Sequence, residues 1–488
     1  MKSPAELVVD LVAAGLRALA ARMAALRGPS RRHAAAWREA ARAAGLGAVE
    51  ESGDGLAGWA GPLRVRLQRY ADSDSRGTRI TVSGPAMPVG LTVRPEGVVT
   101  AIRGVRGVRE VEIGHDTFDA AAWVEGSPTL ARAVLDAGSR QALRALFDGR
   151  LERPGRSPFF ASGRLEDGVL RLEVPDTAPR TRDPGGGGEP GQEPAAHAYL
   201  GGLEHLGEVL TWTIALAQRL ATPADVPRRL ADNLKSEPVA GVRLQLLATL
   251  AREFPDDPAT REALVAARED PDAEVRLRTG IALGPEGRDV LLAIAGGEGA
   301  PDETTERAVV ALGFFLTADA AQGILRNALR TRREATARAC LGALGRRRGA
   351  GVVPTLAKVL AVEKPELAAV AADALGVTGD ASAERALLAA LGSPHATVRV
   401  AAARALGRVG TTAAVLPLKG LEARDGAARA AARQAIALIQ SRVAGAAPGQ
   451  LSLAGGESGQ LSLAEEEQGR LSLVSSRGAP TASGDEGQ

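Results

Sequence analysis

The chain has 488 residues, enough for about three domains of ordinary size. Its 60 Lys and Arg nearly balance its 58 Asp and Glu, so the net charge of +2 indicates no particular partner. Aromatic residues make up only 3% of a chain that is 45% apolar, which favours thin, closely packed helices over an aromatic-rich β-sandwich. One Cys and five His exclude a disulfide framework and a cysteine-based metal cluster, and we expect no cofactor.

Residues 1–46 are predicted to form two helices. Between residues 5 and 26, Leu and Val recur at helical spacing, but charged residues interrupt the run. The interruptions exclude a membrane-spanning helix and a signal peptide, so we expect a cytoplasmic chain. The second helix runs from Arg31 to Ala44 and ends at Gly45.

Residues 47–175 are predicted to form an α+β domain with an antiparallel sheet. Between residues 63 and 113 the runs LRVRLQRY, TRITVSG, LTVRP and VREVEIG are β-branched and separated by Gly or Pro, which is typical of short strands. Ser127–Pro128 is typical of a helix start, and a second helix, SRQALRALF, follows. FFASGRLEDGVLRLEV (159–174) predicts a closing hairpin that turns at Asp167–Gly168.

A connection follows this domain. Residues 176–196 are rich in Pro and Gly and lack apolar anchors, which predicts a flexible linker. Residues 197–222 contain an apolar helix that either packs on the preceding domain or caps the region that follows.

A repeat occupies residues 223–443. The triplet Ala-Leu-Gly returns at intervals of 29 to 32 residues, and a degenerate copy, Ala-Ile-Ala, closes the series. The triplets begin at Ala282, Ala311, Ala343, Ala374 and Ala405, and the last copy begins at Ala435. A period of this size predicts a solenoid of helical hairpins in which each hairpin buries its apolar stripes against its neighbours.

Residues 383–410 show the repeat most clearly. Two apolar stripes at helical spacing are separated by Ser393–Pro394, which breaks the helix. Gly407 or Gly410 is predicted to end the second helix in a left-handed conformation. Ala at most inner positions is predicted to let neighbouring helices approach closely.

The stretch VRVAAARALGRVGTTAAVLPLKGL (398–421) resembles the HEAT repeat, in the short bacterial form also seen in phycobilisome lyases. The resemblance extends over about 224–443, roughly seven units, and implies an α-solenoid that acts as a binding scaffold. Iron-binding deoxyhypusine hydroxylases carry His-Glu pairs on such repeats, whereas this chain has no His-Glu dipeptide and only His395 in the array. The site of HEAT-like DNA glycosylases has no match here, and bilin-lyase activity stays open as an alternative.

Charge is distributed unevenly along the array. Residues 224–319 carry 11 Lys and Arg against 18 Asp and Glu, whereas residues 320–443 carry 19 against 8. The densest basic stretch is opposed only by Glu334 and comprises Arg326, Arg330, Arg332, Arg333, Arg338, Arg346, Arg347 and Arg348. It is either a solvated edge or a patch that attracts an acidic protein. Nucleic acid is the less favoured ligand, because no stacking aromatic residue lies near these arginines in the sequence.

Two places could carry enzymatic chemistry. His115, Asp116 and Asp119 combine an imidazole with two carboxylates, but their spacing is also typical of a turn that Asp caps. Cys340 lies on the same helical stripe as Leu344, which favours a small buried side chain over a nucleophile. Neither place has a second cluster to complete a site.

Residues 444–488 form a tail of Gly, Ser, Glu and Ala that is predicted to be disordered. Three Gly-x-Leu-Ser-Leu motifs recur in it every ten residues, which is typical either of multivalent docking to an unknown partner or of drift after duplication. The first two resemble the bacterial sliding-clamp peptide, although Ala454 and Ala464 replace its aromatic anchor. The motif residues are Gln450, Leu451, Leu453, Gln460, Leu461, Leu463, Leu471 and Leu473.

Together these patterns predict a mainly α protein: an α+β domain, a HEAT-like solenoid and a disordered tail. The favoured function is a non-enzymatic protein–protein interaction scaffold. The alternatives are an enzyme, either bilin-lyase-like or with a site in the N-terminal domain, and a nucleic-acid-binding protein that uses the 326–348 patch.

Overall fold

The computed structural model describes residues 30–71, 76–96, 110–153, 156–176, 203–297, 299–347, 350–442, 451–453 and 461–463. The chain forms two compact units, Met1–Val290 and Leu291–Gln488. The predicted start of the array at residue 223 therefore lies within the first unit. The predicted helix at residues 5–26 and nearly all of the predicted linker lie outside the described residues.

An eight-stranded antiparallel sheet organises the first unit, with the strand order β1-β2-β3-β4-β10-β9-β5-β6. A separate two-stranded ladder joins β7 to β8. The strands are β1 (Gly47–Ser52), β2 (Gly55–Ala60), β3 (Leu63–Ala71), β4 (Arg76–Ser83), β5 (Thr92–Pro95), β6 (Ala122–Glu125), β7 (Arg150–Arg153), β8 (Arg156–Phe160), β9 (Ser162–Glu166) and β10 (Val169–Pro175).

Alternation of side chains explains the central strands. In β3 the apolar residues at positions 63, 65 and 67 are buried while the intervening Arg64 and Arg66 are exposed, as the period of two requires. The predicted hairpin is confirmed as β9 and β10, and both Asp167 and Gly168 have a positive φ, as a primed turn demands. The strands β1, β2 and β6 were not predicted individually.

The predicted strand VREVEIG is wrong in its described part, where only an isolated bridge joins Glu110 to Glu125. The Asp119 carboxylate accepts the backbone N–H groups of Ile113 and Gly114, at 3.1 and 2.8 Å. The Asp119 side chain thus binds the backbone N–H groups that would otherwise donate to a neighbouring strand, so the β-sheet pairing does not continue to Ile113 and Gly114.

One apolar core unites the sheet, its helices and the first two helix pairs of the array. The connecting helix, α5, packs on α1 and on the sheet, which is the first of its two predicted roles. The helices of this unit are α1 (Arg31–Ala43), α2 (Asp116–Asp119), α3 (Pro128–Val134), α4 (Ala137–Phe147), α5 (Leu206–Arg219), α6 (Val226–Ser236), α7 (Ala240–Glu253), α8 (Pro258–Ala266) and α9 (Ala273–Ala282).

Within the second unit, α12 packs on α13, α14 on α15, α16 on α17 and α18 on α19, which gives four consecutive pairs in the described residues. From α11 onward, the second helix of each pair packs on the second helix of the next. The later helices are α10 (Arg288–Ala295), α11 (Asp302–Leu312), α12 (Ala318–Arg330), α13 (Glu334–Gly345), α14 (Val353–Val362), α15 (Pro365–Thr378), α16 (Glu384–Ala390), α17 (Ala396–Val409), α18 (Val415–Arg424) and α19 (Arg429–Gln440).

The Ala-Leu-Gly triplet marks the closest approach between second helices. A Cβ atom added at Gly345 would lie 2.9 Å from the Cα of Ala374, and one added at Gly376 would lie 2.7 Å from the Cα of Ala405. From Gly345 onward, Gly of one repeat therefore faces Ala of the next, which confirms the predicted close packing there, whereas Gly284 and Gly313 have no atom within 4 Å of an added Cβ. Gly407 repeats this contact rather than ending its helix.

The predicted left-handed end of α17 is wrong, since Gly410 ends that helix with φ −70° and ψ 151°. Gly379, at the end of α15, is the glycine that adopts the left-handed cap, with a φ of 70°. Beyond the array, β11 (Leu451–Leu453) pairs antiparallel with β12 (Leu461–Leu463). In the part of the chain that the structure describes, no helix is long and apolar enough to cross a membrane.

Candidate partner-binding surface

Two arginines of the basic stretch have structural roles within the second unit. Arg333 donates to the Thr305 hydroxyl at 2.9 Å and to the Gly297 carbonyl at 3.3 Å. Arg347 donates to the Phe314 carbonyl at 2.7 Å and to the carbonyl of Leu316. These guanidinium groups tie neighbouring repeats together, and their hydrogen bonds take up part of their capacity for a ligand.

The other described arginines of the stretch are exposed, at the end of α12 (Arg326 and Arg330), in the following turn (Arg332) and along α13 (Arg338 and Arg346). Arg348 lies outside the described residues. Glu334, the acid within the stretch, accepts from Lys364 at 2.5 Å.

Aromatic side chains do lie beside the patch, contrary to the sequence-based expectation. Gly313 adopts a φ of 48° after α11 and turns the chain outward. The two residues that follow, Phe314 and Phe315, are 88% and 55% exposed. Because Arg347 binds the Phe314 carbonyl, this pair adjoins the arginines, although 33 residues separate them in the chain.

The residues immediately after the Ala-Leu-Gly triplets form a regular exposed series, which we call the alternating stripe. It consists of Phe314 and Arg346, which follow the ends of α11 and α13, and of Val377, Arg408 and Leu438, which lie near the C-terminal ends of α15, α17 and α19. All five side chains are exposed, and apolar residues alternate with arginine. Sequence reasoning missed this set, but its signal is plain: the letters that follow the triplet read F, R, V, R, L.

Contacts along the second helices keep the stripe in register. Arg404, just before its triplet, donates to Asp373, the equivalent residue of the preceding repeat, at 2.9 Å. The Cδ1 atom of Leu438 lies 3.3 Å from the position that a Cβ at Gly407 would occupy. In the described ranges, neither Arg346 nor Arg408 is bonded to a carboxylate, so both remain available to a ligand. We call the exposed surface of the second helices α11, α13, α15, α17 and α19 the second-helix face.

A structural role for arginine also recurs elsewhere in the array. Arg243 donates to Asp270 at 2.8 Å. It also donates to the carbonyls of Glu237 and Pro238, in the break that precedes its helix. Arg399 repeats the arrangement with Asp425 at 2.6 Å. Each Arg follows its break by six residues, in EPVAGVR and SPHATVR. This spacing identifies Arg243 and Arg399 as structural arginines.

The predicted polar cluster in the N-terminal domain is occupied by local structure. Asp119 accepts three backbone N–H groups, including that of His115 at 2.9 Å. His115 caps α2 by accepting the N–H of Phe118 at 3.3 Å. These bonds confirm the capping interpretation. An acidic cleft of about 420 Å³ adjoins Asp116, but among the described residues no group of His, Cys, Asp and Glu could hold a metal ion.

A buried ion pair fixes the N-terminal domain to the first helix pair. Arg140 of α4 binds both carboxylate oxygens of Glu237, at 2.8 and 2.9 Å, and the two side chains are 4% and 2% exposed. Arg140 also donates to the carbonyl of Leu135 at 2.9 Å. The pair was not predicted, because 97 residues separate its members.

Asp136 forms a second link in the same region. It caps α4 and accepts from Arg219 at 3.1 Å and from Arg229 at 2.9 Å. Burial raises the pKa of Asp136, but hydrogen bonds from Ser139 and from Arg219 outweigh it, so the pKa lies below its usual value. These contacts are structural and leave the carboxylate with no free face for chemistry.

Cys340 is fully buried, as the sequence predicts. Burial raises the pKa of its thiol to about 12, so the thiolate that nucleophilic chemistry requires is not formed near neutral pH.

Of the tail motifs, the structure describes only the first two Leu-Ser-Leu triplets, which pair with each other. Gln450, Gln460, Leu471 and Leu473 lie outside the described residues.

Comparison with known proteins agrees with this architecture. Residues 353–437, from the start of α14 into α19, match the family of HEAT repeats. Among solved structures, human deoxyhypusine hydroxylase in complex with glycerol is similar at 16% identity, over 44% of this chain and 98% of that chain, with a TM-score of 0.20. A TM-score of that size carries no argument about function. No curated protein matches the chain significantly.

Proposed function

We propose that this HEAT-repeat protein is a non-enzymatic scaffold that binds an acidic protein partner on the second-helix face. The observation that carries the proposal is the set of exposed guanidinium groups on α13 and α17, which lie between exposed apolar side chains. Such a surface suits a partner that presents carboxylates beside apolar anchors, because the charges steer the encounter and the apolar contacts hold the complex.

The groups that could have supported catalysis support a scaffold instead. The Asp119 carboxylate is held by backbone N–H groups, and the Cys340 thiol is buried with a raised pKa. The short phycobilisome-lyase type of the repeats and the cytoplasmic location belong to the same proposal.

Charge reversal on one face tests the scaffold. The variant Arg338→Glu/Arg346→Glu should lose the acidic proteins that co-purify with the full chain. The control Lys358→Glu/Arg385→Glu makes the same change in net charge on the exposed sides of α14 and α16, and it should retain them. Equal recovery of the same proteins by both variants would refute the assignment of the face.

Single-stranded nucleic acid is a second candidate, favoured by one specific observation. The exposed Phe314 and Phe315 adjoin the arginine patch, and aromatic side chains stack on bases while arginines bind phosphates. An oligonucleotide gel shift at low salt tests this reading. Binding should weaken steeply with salt and with Phe314→Ala, whereas absence of any shift at low salt would remove the candidate.

A further inference from the structure

The tail carries a pattern that mirrors the alternating stripe. Its three Leu-Ser-Leu triplets, at 451–453, 461–463 and 471–473, are separated by segments of net negative charge: Glu457 lies between the first two, and Glu465–Glu467 outweigh Arg470 between the last two. The order is therefore apolar, acidic, apolar, acidic, apolar. The stripe, followed from α19 back to α11, is apolar, basic, apolar, basic, apolar.

We propose that the chain's own tail docks along the alternating stripe and runs from α19 towards α11. In this arrangement the first triplet lies at Leu438, the second at Val377 and the third at Phe314. Glu457 faces Arg408, and the Glu465–Glu467 cluster faces Arg346. The interaction surface is thus matched in both sign and order by a segment of the same chain.

The lengths are compatible with this arrangement. Packed helices lie about 8–10 Å apart, so two repeats, the spacing between apolar members of the stripe, span about 20 Å. Ten extended residues reach about 33 Å, so one tail period covers that span with slack. The described helix α19 ends at Gln440, beside Leu438, and the first triplet begins eleven residues later. The tail therefore starts at the correct end of the stripe.

Pairing between the first two triplets opposes docking only weakly. The ladder of β11 and β12 has three residues in each strand, and an isolated two-stranded ladder is marginally stable in water. Tethering favours docking, because attachment to the same chain raises the effective concentration of the tail at the stripe.

This inference goes beyond the proposed function and does not depend on it, because the occupant belongs to the same chain. Where a partner does bind the second-helix face, the docked tail competes with it. The partner must then displace the tail, and removal of the tail should increase partner binding.

Disulfide trapping in the full-length chain tests the placement and the direction of the tail. Cys340 is buried with a raised pKa, so introduced cysteines react selectively. The matched variant carries Ser472→Cys with Ala311→Cys, next to Phe314. The swapped variant carries Ser472→Cys with Gln434→Cys, near Leu438. Both array positions are exposed.

The matched pair should form an intrachain disulfide several-fold faster than the swapped pair. A freely moving tail would give the opposite order, because residue 472 is far closer along the chain to 434 than to 311. Equal or reversed rates would overturn the proposal. Disulfide-linked dimers in place of intrachain bonds would also overturn it, since they would show that the tail of a second copy occupies the stripe.

Charge-reversal variants test the proposed ion pairs between tail and stripe independently. Adding Arg346→Glu and Arg408→Glu to the matched variant should slow trapping several-fold, and Lys358→Glu with Arg385→Glu should leave it unchanged. Reversing Glu465–Glu467 to Lys in the charge-reversed protein should restore the rate. Failure of this rescue would contradict the proposed charge pairing.

Discussion

Gly376→Ala should destabilise the array, although the same change in an open helical position stabilises a protein. Replacing helical Gly by Ala is worth about 0.5–1 kcal/mol in favour of the folded state when space allows. At Gly376 the new Cβ would lie 2.7 Å from the Cα of Ala405 and 2.8 Å from its Cβ. The new Cβ would meet the backbone and Cβ of Ala405, and these atoms cannot move aside as the end of a flexible side chain could.

The size of the effect follows from that distance. An ordinary contact needs about 3.5–4.0 Å between carbon atoms, so α15 and α17 must separate by about 1 Å. Overpacking of this kind typically costs about 1–3 kcal/mol. After subtraction of the propensity gain, we expect a net loss of about 1 kcal/mol, within a range of roughly 0–2.5 kcal/mol, concentrated at the α15–α17 contact.

Hydrogen–deuterium exchange on the full chain measures this loss locally, without an assumption that the two units unfold together. Peptides from α15 and α17 should exchange faster in Gly376→Ala. Gly342→Ala is the matched control, because its Cβ would meet only the end of the Arg346 side chain, at 3.7 Å. The control should exchange more slowly or unchanged. Equal behaviour of the two variants would refute the account of the Ala-Leu-Gly triplet.

Four further outcomes follow from the structure. Glu237→Gln should cost about 3–5 kcal/mol in urea unfolding because it leaves Arg140 buried with no opposite charge, and Glu237→Leu with Arg140→Met should recover most of that loss. Asp136→Asn should lower the urea midpoint at pH 7, and the difference from wild type should disappear in strong acid, because a lowered carboxyl pKa stabilises the fold only above that pKa. Iodoacetamide at pH 8 should leave Cys340 unmodified in the native chain and alkylate it in urea, as mass spectrometry would show. Leu375→Asp places a charge at a fully buried position and should cost several kcal/mol; an unchanged thermal melt would contradict the register of the repeat.

Periodicity made the array predictable. Each helix pair buries its apolar stripes at the same spacing, so the interval between Ala-Leu-Gly triplets and the break at Ser393–Pro394 locate the helices closely. The end of α17 was not predictable in the same way. Glycine near the end of a helix usually caps that helix. Gly407 instead packs against Ala435 of the next repeat, and no local sequence pattern reveals that contact.

The candidate surface was predicted only in part. The arginine cluster is visible in the sequence, yet Arg333 and Arg347 bind carbonyls more than 30 residues away, and sequence proximity cannot separate them from the exposed ones. The expectation that no stacking aromatic lies near the arginines was wrong, because Arg347 binds the backbone of Phe314 across 33 residues of chain. The Arg140–Glu237 pair shows the same difficulty inside the first unit, where tertiary folding joins residues that no local pattern links.

The contact between Gly of one triplet and Ala of the next has a consequence for variation within the array. Where it occurs, it sets the spacing of the second helices through backbone and methyl groups, whereas Phe314, Arg346, Val377 and Arg408 are exposed. Substitutions at these four positions can therefore change what the protein recognises, one repeat at a time, without disturbing the stack that carries them.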